Sequence, residues 1–504
     1  MRISLLVEMA GDALGDRPVV GSKHGGLSVE ELLRKARLAA SWVHRRDGER
    51  FGLIAGNSEV VPLTLLASSI AGLPFVPLNF RLADDRLQAI LRRIAPAVVV
   101  VDPGVAERVG SIDGIELVER DDFLAALDDP GLSPYEEEAT EDVAVLLFTS
   151  GTTGEPKGAV LRHTNLCSYV LGTVEFVGAD EDEATLVSVP PYHIAGLMVI
   201  LTSIYGGRRL FYLTAFDPES WVKTVREEGI TQAMVVPTML GRILDVLEQS
   251  GERLPSLRSI SYGGGRMPVP VIERALELLP DTNFVNAYGL TETSSTVAVL
   301  TPEDHRVAIA SEDPSVRRRL GSVGQPIHTL ELEIRDALTG EVLSAGEPGE
   351  IWVRGEQVSG EYLDRDDKAE GGWFRTRDAG WLDEHGYLYV DGRLDDVIVR
   401  GAENLSPGEI EEVLLSHPAV EEAAVVGVPD QEWGEHVAAA IVLAPGQDVS
   451  ADELRTWVKD RLRSSRTPHE IEFRDELPYN ETGKLLRRVL RDELSALAEA
   501  GERS

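Results

Sequence analysis

The order of its apolar runs predicts an α/β protein, with a large N-terminal multi-sheet domain followed by a small α+β domain. Three observations carry this expectation. Short β-branched runs alternate with helix-period segments through the middle of the chain, the pattern of strands joined by helical crossovers. The loops after these runs are rich in glycine and small hydroxylated residues, which suits the ligand-binding edge of a parallel sheet. Beyond residue 393 the pattern breaks at Gly401 and restarts with helix-capping signals. The boundaries read from this are 1–393 and 394–504.

Taken in order, Val60 to Leu78 carries no charge but is interrupted by Pro62, Gly72, Pro74 and Pro77. Ile194 to Tyr205 is apolar but falls short of the ~20 residues that cross a bilayer. Both read as buried helices and strands, with no transmembrane segment. Val143 to Phe148 is a buried strand. Gln232 to Val236 is another, followed by a helix over Thr238 to Leu247. Leu257 to Tyr262 leads through a glycine run to a helix over Pro268 to Leu279, and Asn283 to Ala287 ends in a polar loop. In the small domain, Ser406-Pro407-Gly408-Glu409 is a capping box with proline at the first helical position. Ser450-Ala451-Asp452-Glu453 repeats the pattern, and Ala423 to Val428 is a strand between them. Ala496 to Ser504 reads as a frayed helix end.

Composition narrows the function. The 504 residues include 85 acidic and 49 basic side chains, a formal charge of -36. That balance argues against a nucleic-acid binder, which needs Lys and Arg against phosphate, and disfavours a resident place on an anionic membrane. The one cysteine, Cys167, excludes an internal disulfide and a Cys-cluster zinc site, and fits a reducing, cytoplasmic location. Cys167 itself sits in a helix-like segment and reads as a small packing residue.

The sharpest motif is Thr149-Ser150-Gly151-Thr152-Thr153-Gly154-Glu155-Pro156-Lys157-Gly158, straight after a buried strand. Its N–H and O–H groups can surround phosphate oxygens, although its lysine is not placed as in a Walker A loop. Downstream stand Tyr288-Gly289-Leu290-Thr291-Glu292, Phe374-Arg375-Thr376-Arg377-Asp378, Gly392-Arg393-Leu394-Asp395-Asp396, Gly401-Ala402-Glu403-Asn404 and Asn480-Glu481-Thr482-Gly483-Lys484. In this order they resemble the signature segments of the adenylate-forming enzymes, the superfamily of acyl-CoA synthetases and adenylation domains. Val76 to Leu82 is a fainter match further upstream.

The resemblance implies an acid-thiol ligase that turns a carboxylic acid, fatty or aryl, into an acyl-adenylate and passes it to coenzyme A. An ionised carboxylate needs no general base, since its pKa is about 4. The obstacle is the approach of one anion to another, which calls for cations and donors around the phosphorus. By resemblance, Lys484 is the catalytic lysine, Thr291 bonds the α-phosphate, and Glu292 holds Mg²⁺. The loop from Thr149 to Gly154 with Lys157 clasps the outer phosphates of ATP. Asp378 and Arg393 meet the ribose. Adenine lies against Tyr288 and Gly289, beside Asn286, Ala287 and the run Gly263-Gly264-Gly265. His193, Gly196, Thr238 and Gly263 line the acyl pocket. By the same resemblance the small domain is mobile, and Asp395 is the hinge, about which Gly401, Ala402 and Glu403 swing in, with Trp433 and Arg466 along the coenzyme A path.

Two departures stand out: Arg377 replaces the usual glycine beside the ribose aspartate, and Ala402 replaces the second glycine of its loop. Taken singly, these residues have plainer readings, such as a surface lysine, a helix-starting Thr-Glu pair, a turn aspartate or a packed tryptophan. Three functions stay open beside the first: loading of a carrier protein, a dicarboxylate-CoA ligase using Arg242, and a nucleotide-binding regulator without catalysis. A homodimer is also open.

Overall fold

The computed structural model describes residues 1–137, 141–149, 156–400, 403–430, 433–479 and 485–502, with the backbone alone for 404 and 497–502. Among the described residues the chain forms a mixed α/β structure with a large multi-sheet N-terminal domain and a smaller C-terminal one.

Two large sheets make the N-terminal part. The nine-stranded sheet has a parallel centre, in which Gln232–Val235, Ser259–Gly263 and the start of Asn283–Leu290 lie side by side. The eight-stranded sheet is parallel through Phe51–Ile54, Phe75–Pro77, Ala97–Val101 and Val143–Thr149, then turns antiparallel at the hairpin to Lys157–Arg162. Their strands are near-continuous apolar runs because helices cover both faces. The segment Val60–Ala71 is one of these helices, almost wholly buried, as is Ile194–Gly206. Among the described residues no helix is long and apolar enough to cross a membrane. Cys167 is buried in the helix His163–Thr173, and burial pushes its thiol up to about 12, so it packs rather than reacts.

A third, four-stranded antiparallel sheet joins Glu331–Arg335, Gly349–Arg354, Phe374–Leu382 and Leu388–Arg393. The small domain is built on Val420–Asp430 and Gly434–Leu443, a long hairpin covered by helices on both faces.

The structure corrects two readings of the sequence. The polar stretch after Ala287 is not a loop: the strand runs on to Leu290, paired antiparallel with Ser295–Leu300. Ser406 precedes the helix Pro407–Leu415 but makes no cap, because its hydroxyl donates to the Asp391 carbonyl at 3.2 Å. Ser450 does cap its helix, accepting from the Glu453 N–H at 3.2 Å. The last helix, Arg487–Glu502, continues through the stretch read as a frayed end.

Candidate active site

The parallel register sets Val235 beside Tyr262 and Gly263 beside Ala287, so three strands end along one edge. A Cβ at Gly263 would lie 2.3 Å from the Ala287 carbonyl oxygen, so only glycine allows this approach. Gly264 follows at φ +78, a conformation that favours glycine, and Gly265 is exposed beside it. Thr238 sits in the first turn of the helix Pro237–Ser250, with Pro237 at its start. The expected acyl residues Thr238 and Gly263 and the expected adenine residues Gly263 to Gly265 and Ala287 to Gly289 thus share one strand-end edge. The Asn286 amide is buried and donates to the Ser322 carbonyl at 3.1 Å, so it braces the strand from within.

Next to this edge lies a compact charged cluster. The Tyr288 hydroxyl donates to Asp378 Oδ2 at 2.6 Å, and Arg393 Nη1 donates to Asp378 Oδ1 at 2.9 Å and to the Thr376 carbonyl at 3.0 Å. Burial and the adjoining carboxylate push the Tyr288 phenol well above its usual value. Burial works against the Arg393 charge, yet Asp378 more than restores it. The Asp378 side chain is 7 % exposed, and each of its oxygens keeps a further lone pair for an incoming hydroxyl.

A bulge aims it there. Glu350 pairs with Ala379 and Trp352 with Arg375, so Thr376 to Asp378 oppose Ile351 alone. Within the bulge Arg377 takes φ +59, the left-handed geometry that glycine would adopt freely. The departure at Arg377 therefore leaves the backbone able to present Asp378.

Thr291 and Glu292 form a short 3₁₀ turn, Thr291–Thr293, directly beyond the strand. The Thr293 hydroxyl donates to the Ser295 carbonyl at 2.8 Å, and Ser294 and Ser295 both have positive φ, which makes the turn tight. Glu292 Oε1 accepts the Tyr362 hydroxyl at 2.5 Å, and burial with this carboxylate raises the phenol. Tyr362 lies on a two-residue strand paired with Lys157–Arg162, opposite Ala159. It therefore ties the glutamate to the hairpin that carries the expected phosphate loop, a link the sequence did not disclose. Thr149 faces Lys157 at the top of that hairpin. Ser150, Gly151, Thr152, Thr153 and Gly154 lie outside the described residues.

His193 starts the helix Ile194–Gly206, with its ring 4.8 Å from that of Tyr192, which in turn is 5.9 Å from Phe80. A Cβ at Gly196 would come within 2.4 Å of the Pro190 carbonyl, so this glycine is needed for the close turn. Arg242 is exposed, its guanidinium 5.4 Å from the Phe216 ring.

Asp395 is exposed in the 3₁₀ turn Leu394–Asp396 that leads into the small domain. Arg266, just past the glycine run, reaches Glu412 of the small domain at 2.5 Å. Arg466 is spent on Glu409 at 2.5 Å and Glu403 at 2.7 Å, so its charge is matched inside the small domain. Trp433 is 48 % exposed, and its backbone N–H donates to Asp430 Oδ1 at 2.7 Å. Gly401, Ala402 and Lys484 lie outside the described residues. Arg487, three positions after Lys484, is anchored to Glu411, with Nη2 donating to Oε2 at 2.8 Å.

Comparison with known proteins agrees with this geometry. Residues 7–363 match the family described as AMP-binding enzyme, and residues 409–484 match the AMP-binding enzyme C-terminal domain. The chain is 34% identical over 481 residues to a feruloyl-CoA synthase of an Amycolatopsis species, covering 93% of this chain and 94% of that one. It is 33% identical over 469 residues to a 2-succinylbenzoate–CoA ligase of Geobacillus sp. strain WCH70, covering 92% and 91%. The structure of o-succinylbenzoate CoA synthetase from Bacillus subtilis, in complex with its acyl-adenylate intermediate, superposes with a TM-score of 0.82. It is 29% identical, and the match covers 97% of this chain and 98% of that one.

Proposed function

The chain belongs to the family of AMP-binding enzymes, and we propose that it joins an aromatic carboxylic acid to coenzyme A through an acyl-adenylate. It is an AMP-forming acyl-CoA synthetase that uses ATP and coenzyme A. The observation that carries the site assignment is the Tyr288–Asp378–Arg393 cluster beside the Thr291-Glu292 turn.

In this reading Asp378 accepts the ribose hydroxyls while Arg393 and Tyr288 hold its carboxylate in place. Adenine lies along Gly263 to Gly265 and Tyr288. Thr291 donates to the α-phosphate. Glu292, oriented by Tyr362, holds Mg²⁺, which suits a cation that takes one or two carboxylates together with phosphate oxygens; bound there, it neutralises phosphate charge. Residues 150–154 and Lys157 surround the outer phosphates. The substrate carboxylate attacks the α-phosphorus, with Lys484 offsetting the charge that gathers there. The small domain then turns about Asp395, and the loop from Gly401 to Glu403 replaces Lys484, with Trp433 beside the entering thiol. In the same reading the boundary of the two domains falls at 393/394, and a cytoplasmic location suits the single cysteine and the need for ATP and coenzyme A.

An aromatic acid is favoured over a fatty one by the ring-bearing acids in the names of the two relatives, and by the sequence of rings Phe80, Tyr192 and His193. A dicarboxylic acid held by Arg242 is less favoured, because that side chain is exposed.

The test is a panel of aryl, alkyl and dicarboxylic acids scored for pyrophosphate release and coenzyme A thioester. Aryl acids should give both, and loss of pyrophosphate release with every acid would overturn the reading. Lys484→Ala should slow adenylation about 10²–10³-fold, as for one lost transition-state donor, while sparing thioester formation from preformed acyl-adenylate. Equal loss in both steps would exclude the exchange of domains.

A further inference from the structure

Away from this cleft, the small domain gathers ligating groups that the reaction does not use. His436, on the strand Gly434–Leu443, is 7 % exposed, and neither of its ring nitrogens makes a hydrogen bond. A buried imidazole left so has given up water at both nitrogens without replacement, which calls for an explanation such as an ion. Each nitrogen faces a carboxylate beyond hydrogen-bond distance: Nδ1 lies 3.7 Å from Asp430 Oδ2, and Nε2 lies 3.7 Å from Glu470 Oε1. The His469 ring is 5.0 Å from that of His436. Ligand atoms of His436, His469 and Glu470 all lie within 4.8 Å of one another.

The backbone holds these groups together. The parallel ladder sets Ala438 beside Glu470, and the His469 N–H donates to the Val437 carbonyl at 2.7 Å. Arg455 pins the same segment to its helix, donating to the carbonyls of Pro468 at 3.2 Å and His469 at 3.0 Å.

We propose that His436, His469 and Glu470 are the three protein ligands of a zinc ion, with water in the fourth position. Two imidazoles and one carboxylate suit a borderline divalent ion, whereas magnesium favours an all-oxygen octahedron. Bonds of about 2.0–2.1 Å bring tetrahedral ligands closer together than they stand here. His469 is exposed and Glu470 half-buried, so rotation of these two closes the gap while His436 stays fixed. Asp430 Oδ2 stands 3.7 Å behind His436 Nδ1, and its approach as the site fills makes the hydrogen bond that fixes the tautomer turning Nε2 to a metal. The other Asp430 oxygen accepts the Trp433 backbone N–H. The metal assignment stands apart from the catalytic reading, because its test needs no nucleotide.

The full-length protein, treated with chelator and freed of it, is titrated with Zn²⁺ by calorimetry, with Mg²⁺ as the control ion. The expected result is one zinc per chain, no uptake of Mg²⁺ without nucleotide, and a rise in Tm on adding zinc. His469→Ala, at an exposed position that spares folding, and His436→Gln should both abolish the uptake and the rise. Asp430→Asn should weaken binding about 10–100-fold. A wild-type protein that takes up no zinc overturns the proposal, as does uptake that survives both histidine substitutions.

Discussion

In a place nearly closed to water, Arg393 and Tyr288 each supply a hydrogen to one oxygen of Asp378. Asp378→Asn puts an N–H where one of these oxygens was and removes the acceptor of a ribose hydroxyl. A hydrogen bond to a charged group contributes about 1.5–3 kcal/mol, so KM for ATP should rise about tenfold or more. Steady-state kinetics with ATP varied read this, and an unchanged KM would refute the ribose assignment. Its neighbour Arg377 shows the sequence and the structure in direct contact. The missing glycine was legible, and the left-handed backbone persists regardless, at a cost of about 1–2 kcal/mol for a residue with a side chain. Arg377→Gly should therefore stabilise the protein by about 1 kcal/mol, seen as a higher urea midpoint at unchanged slope. A lower midpoint would mean that the arginine side chain contributes more than its backbone loses.

Elements were legible where burial alone dictates them. Val143–Thr149, Gln232–Val235 and Ser259–Gly263 are buried or flanked by helices, so apolar runs mark them within a residue or two. The antiparallel sheet was not legible, since the buried positions of a strand such as Phe374–Leu382 include Thr376 and Asp378 and so show no apolar alternation. Tyr362 escaped for a similar reason: a strand of two residues has no period at all. The strand end at Tyr288 was read as loop because Gly289 and the polar run from Thr291 to Ser295 follow it. Between elements, one contact ties the helix Pro407–Leu415 to the start of Arg487–Glu502. Glu411 accepts from Arg487 and, through Oε1, from the Val425 N–H at 2.7 Å. Arg487→Ala leaves that carboxylate buried without its cation, a loss of about 3–5 kcal/mol. Urea unfolding followed at Trp457 of the small domain should show it, and a loss below about 1 kcal/mol would mean that Glu411 finds water instead.

At the scale of the whole molecule, the sequence pointed to a large and a small domain but not to what holds them, because the contact of Arg266 with Glu412 joins residues far apart in the chain. Asp391 lies at that contact, its carbonyl accepting the Ser406 hydroxyl, with Arg266 on its own side and Glu409 and Glu412 on the helix opposite. Gly408 packs against the same place, where a Cβ would lie 2.4 Å from Arg266 Nη1. Burial pushes the Asp391 carboxyl up to about 6, with Arg266 opposing the rise and the two glutamates adding to it. The sign follows from which state holds the proton more tightly. The docked state binds it up to about pH 6, whereas the undocked or unfolded chain releases it near the usual carboxylate value of 3.8. Docking is therefore strongest at low pH, weakens as pH rises from about 4 to 6, and is level above that with respect to this group. Near neutral pH Asp391 is ionised beside Glu409 and Glu412, which loosens the contact between the domains. Asp391→Asn removes the titration, so cleavage by protease at the connecting residues 394–400 should lose its rise between pH 4 and 6. The variant should also stay protected at pH 7, where the wild type is cut faster; matching pH profiles for the two proteins would show that some other group governs the contact.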